Sequence, residues 1–381
     1  MIKSHRTTSK KPDKPSPDFP LFPHDAGVWA KKIRGKLHYF GSWDDDRDGS
    51  RALALYNEQK DALHAGKKPR PDRQGVTIKD VANAFLNHKQ ARLHAGELSP
   101  HTWTDYKRVT DLVVAHLGKS RLASDVGPDD FAPLRNKFAT RWGPQRLAKF
   151  IQFTRSLFKY AYDTEMIDKP VRFGPGFDRP SKKTLRLNRA EQGTKLFSAE
   201  EIHRLIDAAG VQVKAMILLG INCGFGNSDC GKLPLSAVDL DDAMINYPRP
   251  KTGIARRCPL WPETVAALRE AIARRPKPKD PTDAGLVFVT KYGGRWYKDT
   301  PDNPITKEMA KLLGALGING HRNFYALRHT FRTVADEVKD QPACDHVMGH
   351  ETGGMSSVYR ETISDQRLRA VADHVRAWLF P

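Results

Sequence analysis

The chain has 381 residues, and 63 Lys and Arg set against 44 Asp and Glu leave a formal charge of +19. At about 100–200 residues per domain this length suggests two or three domains, and 39% hydrophobic residues argue against wholesale disorder. No stretch approaches the roughly eighteen consecutive apolar residues of a membrane-spanning helix, the N-terminus has no apolar run of the secretory kind, and Cys223, Cys230, Cys258 and Cys344 show no metal-ligand or disulfide spacing. A basic chain of this kind, with no membrane partner and thiols of the reduced intracellular type, is expected to meet a polyanion, above all nucleic acid.

Residues 1–20, rich in Pro, Lys and Ser, read as a basic arm. Residues 21–66 read as a small sheet-plus-helix module. Within it, VWAKKIRGKLHYFGSW forms two strands around a tight Arg34-Gly35 turn, and RALALYNEQKDALHAG forms a helix ending at Gly66. Lys31, Lys32 and Arg34 either lay these strands on DNA or are simply solvated. The run 67–75 is a linker by its Pro, Gly and charge content.

Residues 76–170 form a helical segment. Ile78, Val81, Ala82 and Phe85 recur at helical spacing, and a second helix opens with Ser99 as cap and Pro100 in first position, stopping at Gly118. From Gln145 to Tyr162, Leu147, Phe150, Ile151, Leu157, Phe158 and Ala161 share one face, with Arg146, Lys149, Arg155 and Lys159 mostly on another. A buried face backed by a basic one suits a helix lying between a core and DNA; solvated surface cations are the alternative. Residues 171–196 lack apolar periodicity and read as a second linker. A new domain, 197–381, opens at Ser198 with Glu201 three residues on, a capping box.

Three stretches of this last domain carry chemistry. AMINYPRPKTGIARRCPLW reads as a hairpin whose centre holds Arg249, Lys251, Arg256 and Arg257. FYALRHTFRTVADEV is a helix presenting Tyr325, Arg328, His329 and Arg332. In VMGHETGGMSSVYRE, Tyr359 follows His350 by nine residues.

On these motifs the chain resembles the tyrosine recombinases, the phage-integrase family. YALRHTF with Arg328 is similar to the family's second arginine box, MGH with Tyr359 to its final His and nucleophile boxes, and KTGIARRCPL with Lys251 to its lysine hairpin. The resemblance covers 197–381 with specific motifs, 76–170 more loosely as a core-binding domain, and 21–66 weakly as an arm-binding module. It implies a mainly α fold with small β elements: a helical core-binding domain, a mixed α+β catalytic domain and the small N-terminal module. The last helix, with Leu368, Val371, Val375, Trp378 and Leu379, is similar to a tail that docks on a neighbouring subunit, and by periodicity equally suits a cover for its own domain.

The resemblance further implies site-specific recombination or integration of duplex DNA by a homo-oligomer, a tetramer on DNA, in the cytoplasm at the nucleoid. No small-molecule substrate, metal or cofactor enters this chemistry. Tyr359 would attack a phosphodiester to leave a 3′-phosphotyrosyl link, Arg328 would hold the non-bridging oxygens, Lys251 would protonate the leaving oxygen, and His350 would donate a hydrogen bond. Two positions depart from the family. Aligning Gly224 and Asp229 with the first arginine box puts Gly226 where an arginine belongs, and Tyr325 stands where His or Lys is usual. The Tyr325 hydroxyl can still hydrogen-bond phosphate but adds no positive charge. Lys232, Arg256 and Arg257 are the nearby cations that could compensate. The alternative is a DNA-binding protein of the same fold with impaired cleavage and an architectural or regulatory role.

Overall fold

The structure is a computed structural model, and it describes residues 11–64, 66, 75–299, 303–350 and 361–381. The chain divides into two compact units. One holds the N-terminal part through Arg179, and the other holds Pro180 to the C-terminus together with the short segments Lys89–Tyr106 and Gly143–Arg146.

The first unit begins with an antiparallel sheet, β1 (Phe22–His24), β2 (Val28–Ile33) and β3 (Lys36–Ser42), in that order. Arg34 (φ 51°) and Gly35 (φ 81°) both occupy the left-handed region, as a two-residue primed turn requires, and this sets Ile33 opposite Lys36. Trp29, Phe40, Trp43 and Tyr56 form the core between this sheet and helix α1 (Ser50–His64). The strand β1 was not read from the sequence: it is three residues long and contains Pro23, too short for alternation to register.

Four helices follow: α2 (Ile78–His94), α3 (Pro100–Leu117), α4 (Pro128–Ala139) and α5 (Pro144–Asp163). The Ser99 hydroxyl accepts from the Thr102 amide at 3.2 Å, and Gly118 (φ 92°) ends α3. On α5 the whole apolar face from Leu147 to Ala161 is buried. Phe131 of α4 meets Phe158 at 5.5 Å and Phe177 at 5.1 Å between ring centroids. Phe177 thus lies in a core although it falls within 171–196, and a further helix, α6 (Lys182–Glu191), occupies the same stretch with Ser181 capping the Thr184 amide at 3.0 Å.

The second unit contains α7 (Ala199–Ala208), α8 (Val211–Asn222), α9 (Asn227–Gly231), the antiparallel sheet β4 (Val238–Asp239), β5 (Met244–Asn246) and β6 (Arg257–Pro259), then α10 (Pro262–Ala273), α11 (Pro304–Ala315), α12 (Tyr325–Ala335), α13 (Gln341–Met348) and α14 (Asp365–Leu379). The capping box is present: Glu201 N donates to Ser198 Oγ at 3.1 Å and Ser198 N to Glu201 Oε2 at 3.0 Å. The central helix α8 packs against α10 and α12. It comes so close to α12 at Gly220 that a Cβ there would lie 2.8 Å from Leu327. The last helix covers its own domain: Leu368, Val371, Val375 and Leu379 are fully buried in this core, and Trp261 Nε1 donates to the Ala372 carbonyl at 2.8 Å. Among the described residues no helix is long and apolar enough to cross a membrane.

Candidate active site

The second unit brings three pieces of chain to one place: the turn before α9, the first turns of α12, and the end of α13. Arg328 sits on the inner face of α12 and is 2% exposed. Its guanidinium donates to the Gly224 carbonyl and, at 2.8 Å, to the Met348 carbonyl, so both neighbouring segments hold it in place. Helix α13 ends at Gly349 in the left-handed conformation (φ 62°), which turns His350 back toward Arg328. The His350 amide donates to the Asp345 carbonyl at 2.8 Å.

Arg328 Nη2 lies 2.7 Å from His350 Nε2. Because guanidinium only donates, Nε2 accepts, and the imidazole carries its proton on Nδ1, which is 3.7 Å from Asp345 Oδ1. Partial burial together with the charges of Arg328 and Arg249 pushes the His350 pKa down to about 4, so this imidazole is neutral near pH 7. Burial and Arg249 likewise lower that of Arg328 to about 10, and it stays charged. Arg332 pairs with Asp345 and, at 2.8 Å, with Asp336, bracing the base of α13.

The two departures from the family are neighbours in space. A Cβ built on Gly226 would lie 3.3 Å from Asp229 Oδ2 and 3.3 Å from two ring atoms of Tyr325. Tyr325 opens α12, is 40% exposed, and packs edge-on to His329 at 5.3 Å. Its ring therefore covers the ground from which a side chain at 226 would start. Asp229 faces two ways: Oδ2 accepts the Gly226 amide at 2.7 Å, and Oδ1 accepts from Arg256 at 2.9 Å. Arg256 is enclosed, with Phe225 4.0 Å below its guanidinium and Nε bonded to the Tyr247 carbonyl at 2.8 Å. Burial raises the Tyr247 phenol to about 12.

Of the cations that sequence position made available, Arg256 is occupied by Asp229, Lys232 is 3.5 Å from Asp299 and lies over the Tyr297 ring, and Arg257 pairs with Asp365 at 2.9 Å on the surface. Lys251 is exposed at the hairpin tip, where Gly253 (φ 70°) closes a turn by donating to the Arg249 carbonyl at 2.8 Å. Tyr359 lies outside the described residues.

Sequence reasoning passed over two residues here. Arg249 was noted only as one cation of the hairpin; it lines a cavity of about 660 Å³ with Thr252, Ile254, Gln341, Asp345 and His350. Asp345 was not noted at all. Its signal was faint: an acid five residues before His350 on a helix too short to show a pattern.

The remaining basic candidates belong to the first unit, except Arg146, which falls in the second. Lys31 lies 4.7 Å over the Tyr56 ring, Lys32 is exposed, and Arg34 donates to the His64 carbonyl at 3.3 Å. On α5, Arg146, Lys149 and Lys159 are exposed. Arg155 is half-buried and donates to the Phe177 carbonyl at 3.1 Å and to Asp178 at 2.9 Å.

The second unit thus combines a central apolar helix, a small three-stranded sheet and an Arg–His cluster at the end of α13. Residues 191–365 match the sequence model described as the phage integrase family. Tyrosine recombinase XerC of Salmonella typhi is 25% identical over 300 residues, covering 74% of this chain and 92% of that one. The XerC of Mesorhizobium japonicum is 26% identical over 276 residues, covering 69% and 85%. Among solved structures, the Tn1549 transposon integrase in complex with a circular intermediate DNA superposes with a TM-score of 0.58 at 15% identity, over 78% of this chain and 99% of that one. A lambda integrase dimer bound to a COC′ core site does so with a TM-score of 0.57 at 14% identity, over 93% and 97%. Residues 191–365 thus carry a phage integrase family domain, and the chain as a whole is similar in sequence to tyrosine recombinases.

Proposed function

We propose that this protein binds duplex DNA as a homo-oligomer and carries out site-specific recombination by cleaving and rejoining strands through Tyr359. The observation that supports this best is the buried Arg328, held by two backbone carbonyls with Nη2 2.7 Å from His350. Placing a guanidinium in such a dry, preorganised position makes it a strong binder of phosphate oxygens, since it needs no reorganisation when charge develops there. The Tyr359 phenol would lose its proton and attack phosphorus, and the bond to the 5′-oxygen would break as Lys251 protonates that oxygen. The phosphotyrosyl link conserves the bond, and attack by a 5′-hydroxyl reverses the step. When the phosphate enters, its charge offsets Arg328 and Arg249; His350 can then exchange its bond from Arg328 for one donated to phosphate.

One observation favours the second reading, a DNA-binding protein of this fold with impaired cleavage. Gly226 offers no charge, and the Tyr325 ring stands 3.3 Å from where its side chain would begin. A nicked duplex that on cleavage releases a short fragment bearing the free 5′-hydroxyl separates the readings. Its sequence would be taken from duplexes that the full chain enriches out of a random pool. Recombinase chemistry is expected to trap a covalent protein–DNA adduct that Tyr359→Phe abolishes. Tight binding with no adduct would leave only the architectural role.

A further inference from the structure

The proposed chemistry leaves one phosphate oxygen without its usual counter-charge, and the structure contains an arginine suited to supply it. Arg249 lies on the hairpin limb two residues before Lys251 and is 8% exposed. It lines the same cavity as His350. Buried cations are ordinarily paired with an acid or a ligand, because a desolvated charge without one is costly. Buried Arg256 follows that rule with Asp229, and the half-buried Arg322 and Arg332 do the same with Glu201 and Asp345. Arg249 does not. Among the described residues its guanidinium makes one hydrogen bond, a long one from Nη1 to the Gly349 carbonyl at 3.4 Å, and it has no acid partner. Arg328 also bonds only carbonyls and His350. Of the lining residues, the acid Asp345 is held by Arg332. Two buried guanidinium groups, Arg249 close enough to add to the effect of burial in lowering the pKa of Arg328 and both close enough to do the same for His350, form with this neutral imidazole a cationic site suited to an anion.

The MGH segment explains how they come so close. A Cβ on Gly349 would lie 2.9 Å from Arg249 Cβ and 3.4 Å from Arg256 Cδ, and its positive φ also disfavours any other residue. Glycine there lets the hairpin seat on the end of α13. Consecutive carbonyls then serve different arginines: Met348 accepts from Arg328, Gly349 from Arg249.

Resting on the recombinase reading, we propose that Arg249 binds a non-bridging oxygen of the scissile phosphate beside Arg328, supplying from the lysine hairpin the guanidinium that Gly226 lacks. The charge reaches the phosphate from a different direction and from a different element, and Tyr325 keeps the ground over Gly226.

The test combines Arg249→Gln and Arg249→Lys of the full chain with duplexes, from the enriched pool, in which one phosphate at a time is replaced by an uncharged methylphosphonate. Wild type is expected to bind the duplex neutralised at the scissile position about tenfold more weakly. Arg249→Gln, which keeps Arg328, should show a clearly smaller penalty for that duplex relative to the unmodified one, and Arg249→Lys should lie between. On the nicked phosphodiester substrate, Arg249→Gln should lower adduct formation by about 10²–10³, the cost of one preorganised donor, and recover much of it on the methylphosphonate. An Arg249→Gln protein that cleaves within twofold of wild type, or one that loses both substrates equally, overturns the proposal. If wild type forms no adduct at all, the recombinase reading fails. The binding comparison then still decides the residue's role: equal sensitivity of wild type and Arg249→Gln to every neutralised phosphate would overturn it.

Discussion

The cations of α5 and those of the α12–α13 site are the same residue types put to opposite use. On α5 they lie at the surface and lean on their own chain's acids, Lys159 on Asp163 at 2.8 Å and Arg155 on Asp178 at 2.9 Å. Such pairs contribute little to stability, and on the proposed function they would exchange for phosphate and serve affinity that salt screens. In the site, Arg328 and Arg256 are almost fully buried and held by carbonyls, an acid and aromatic faces. There a cation is worth more per contact, and its position matters to a fraction of an ångström. The net charge of +19 belongs to the first kind of use; the chemistry depends on a few members of the second.

The largest effect expected from breaking this contrast is on the buried pair. Asp229→Ala leaves Arg256 charged and enclosed and removes the acceptor of the Gly226 amide, and should lower stability by about 3–5 kcal/mol, read from the urea midpoint. If the loss were under about 1 kcal/mol, the pair would have to behave like one on the surface.

Next comes Arg328→Gln, expected to reduce covalent adduct formation by about 10²–10³ with duplex affinity changed far less. A variant that lost affinity and cleavage in proportion would make Arg328 a mere contributor to bulk attraction.

The Gly226 neighbourhood sharpens the comparison further. Gly226→Arg alone must displace the Tyr325 ring, so it should not raise cleavage. With Arg249 in place the combination with Tyr325→His should gain little either, whereas in an Arg249→Gln background it should raise cleavage by about tenfold or more, a coupling that a mutant cycle measures directly. Additive single effects would show that the two positions act separately.

A smaller effect concerns pH. His350 faces Arg328 and Arg332 of α12, Arg249 of the hairpin and Asp345 of α13. Its pKa of about 4 in the free protein lies below the usual value of 6.5. An unfolded chain therefore takes up this proton as pH falls through 6.5 while the folded one does not until about 4, and the stability this histidine contributes above pH 6.5 is lost across that window. Phosphate at the site should raise the pKa, so DNA binding should take up a proton and tighten as pH falls through the same range. Titration of the imidazole signal by NMR, with and without DNA, checks both signs.

The smallest change is expected on α5. Lys159→Ala should weaken duplex binding only a few-fold, evenly across sequences, and reduce the slope of log affinity against log salt by about 1. A sequence-dependent loss would move this lysine from holding DNA to reading it.

Much of this architecture was legible in the chain. Periodicity, Ser99, Ser198 and Gly118 marked helices that the structure contains, because caps and apolar faces are local properties. The YALRHTF and MGH motifs drew attention to Arg328 and His350 for a similar reason: each sits on one short element. The strand β1 escaped notice for want of length, and Phe177 because a single buried aromatic in a Pro- and Gly-rich run carries no periodic signal. For the last helix, periodicity could show an apolar face but not which core would receive it. Packing in cis against Trp261 and its neighbours answers that.

What the sequence determined by itself was the class of elements, the family motifs and the absence of an arginine at 226, all written in residue identity and short spacing. What only the tertiary structure decided was which charges meet. Arg249, Arg328 and His350 are drawn from separate elements spread over about a hundred residues; a glycine at 349 whose missing Cβ gives the hairpin room lets Arg249 line one cavity with His350, which Arg328 contacts. Electrostatics falls off with distance through space and is indifferent to distance along the chain. The choice between a cation paired with its own acid and one left for a ligand therefore appears only when the fold has closed.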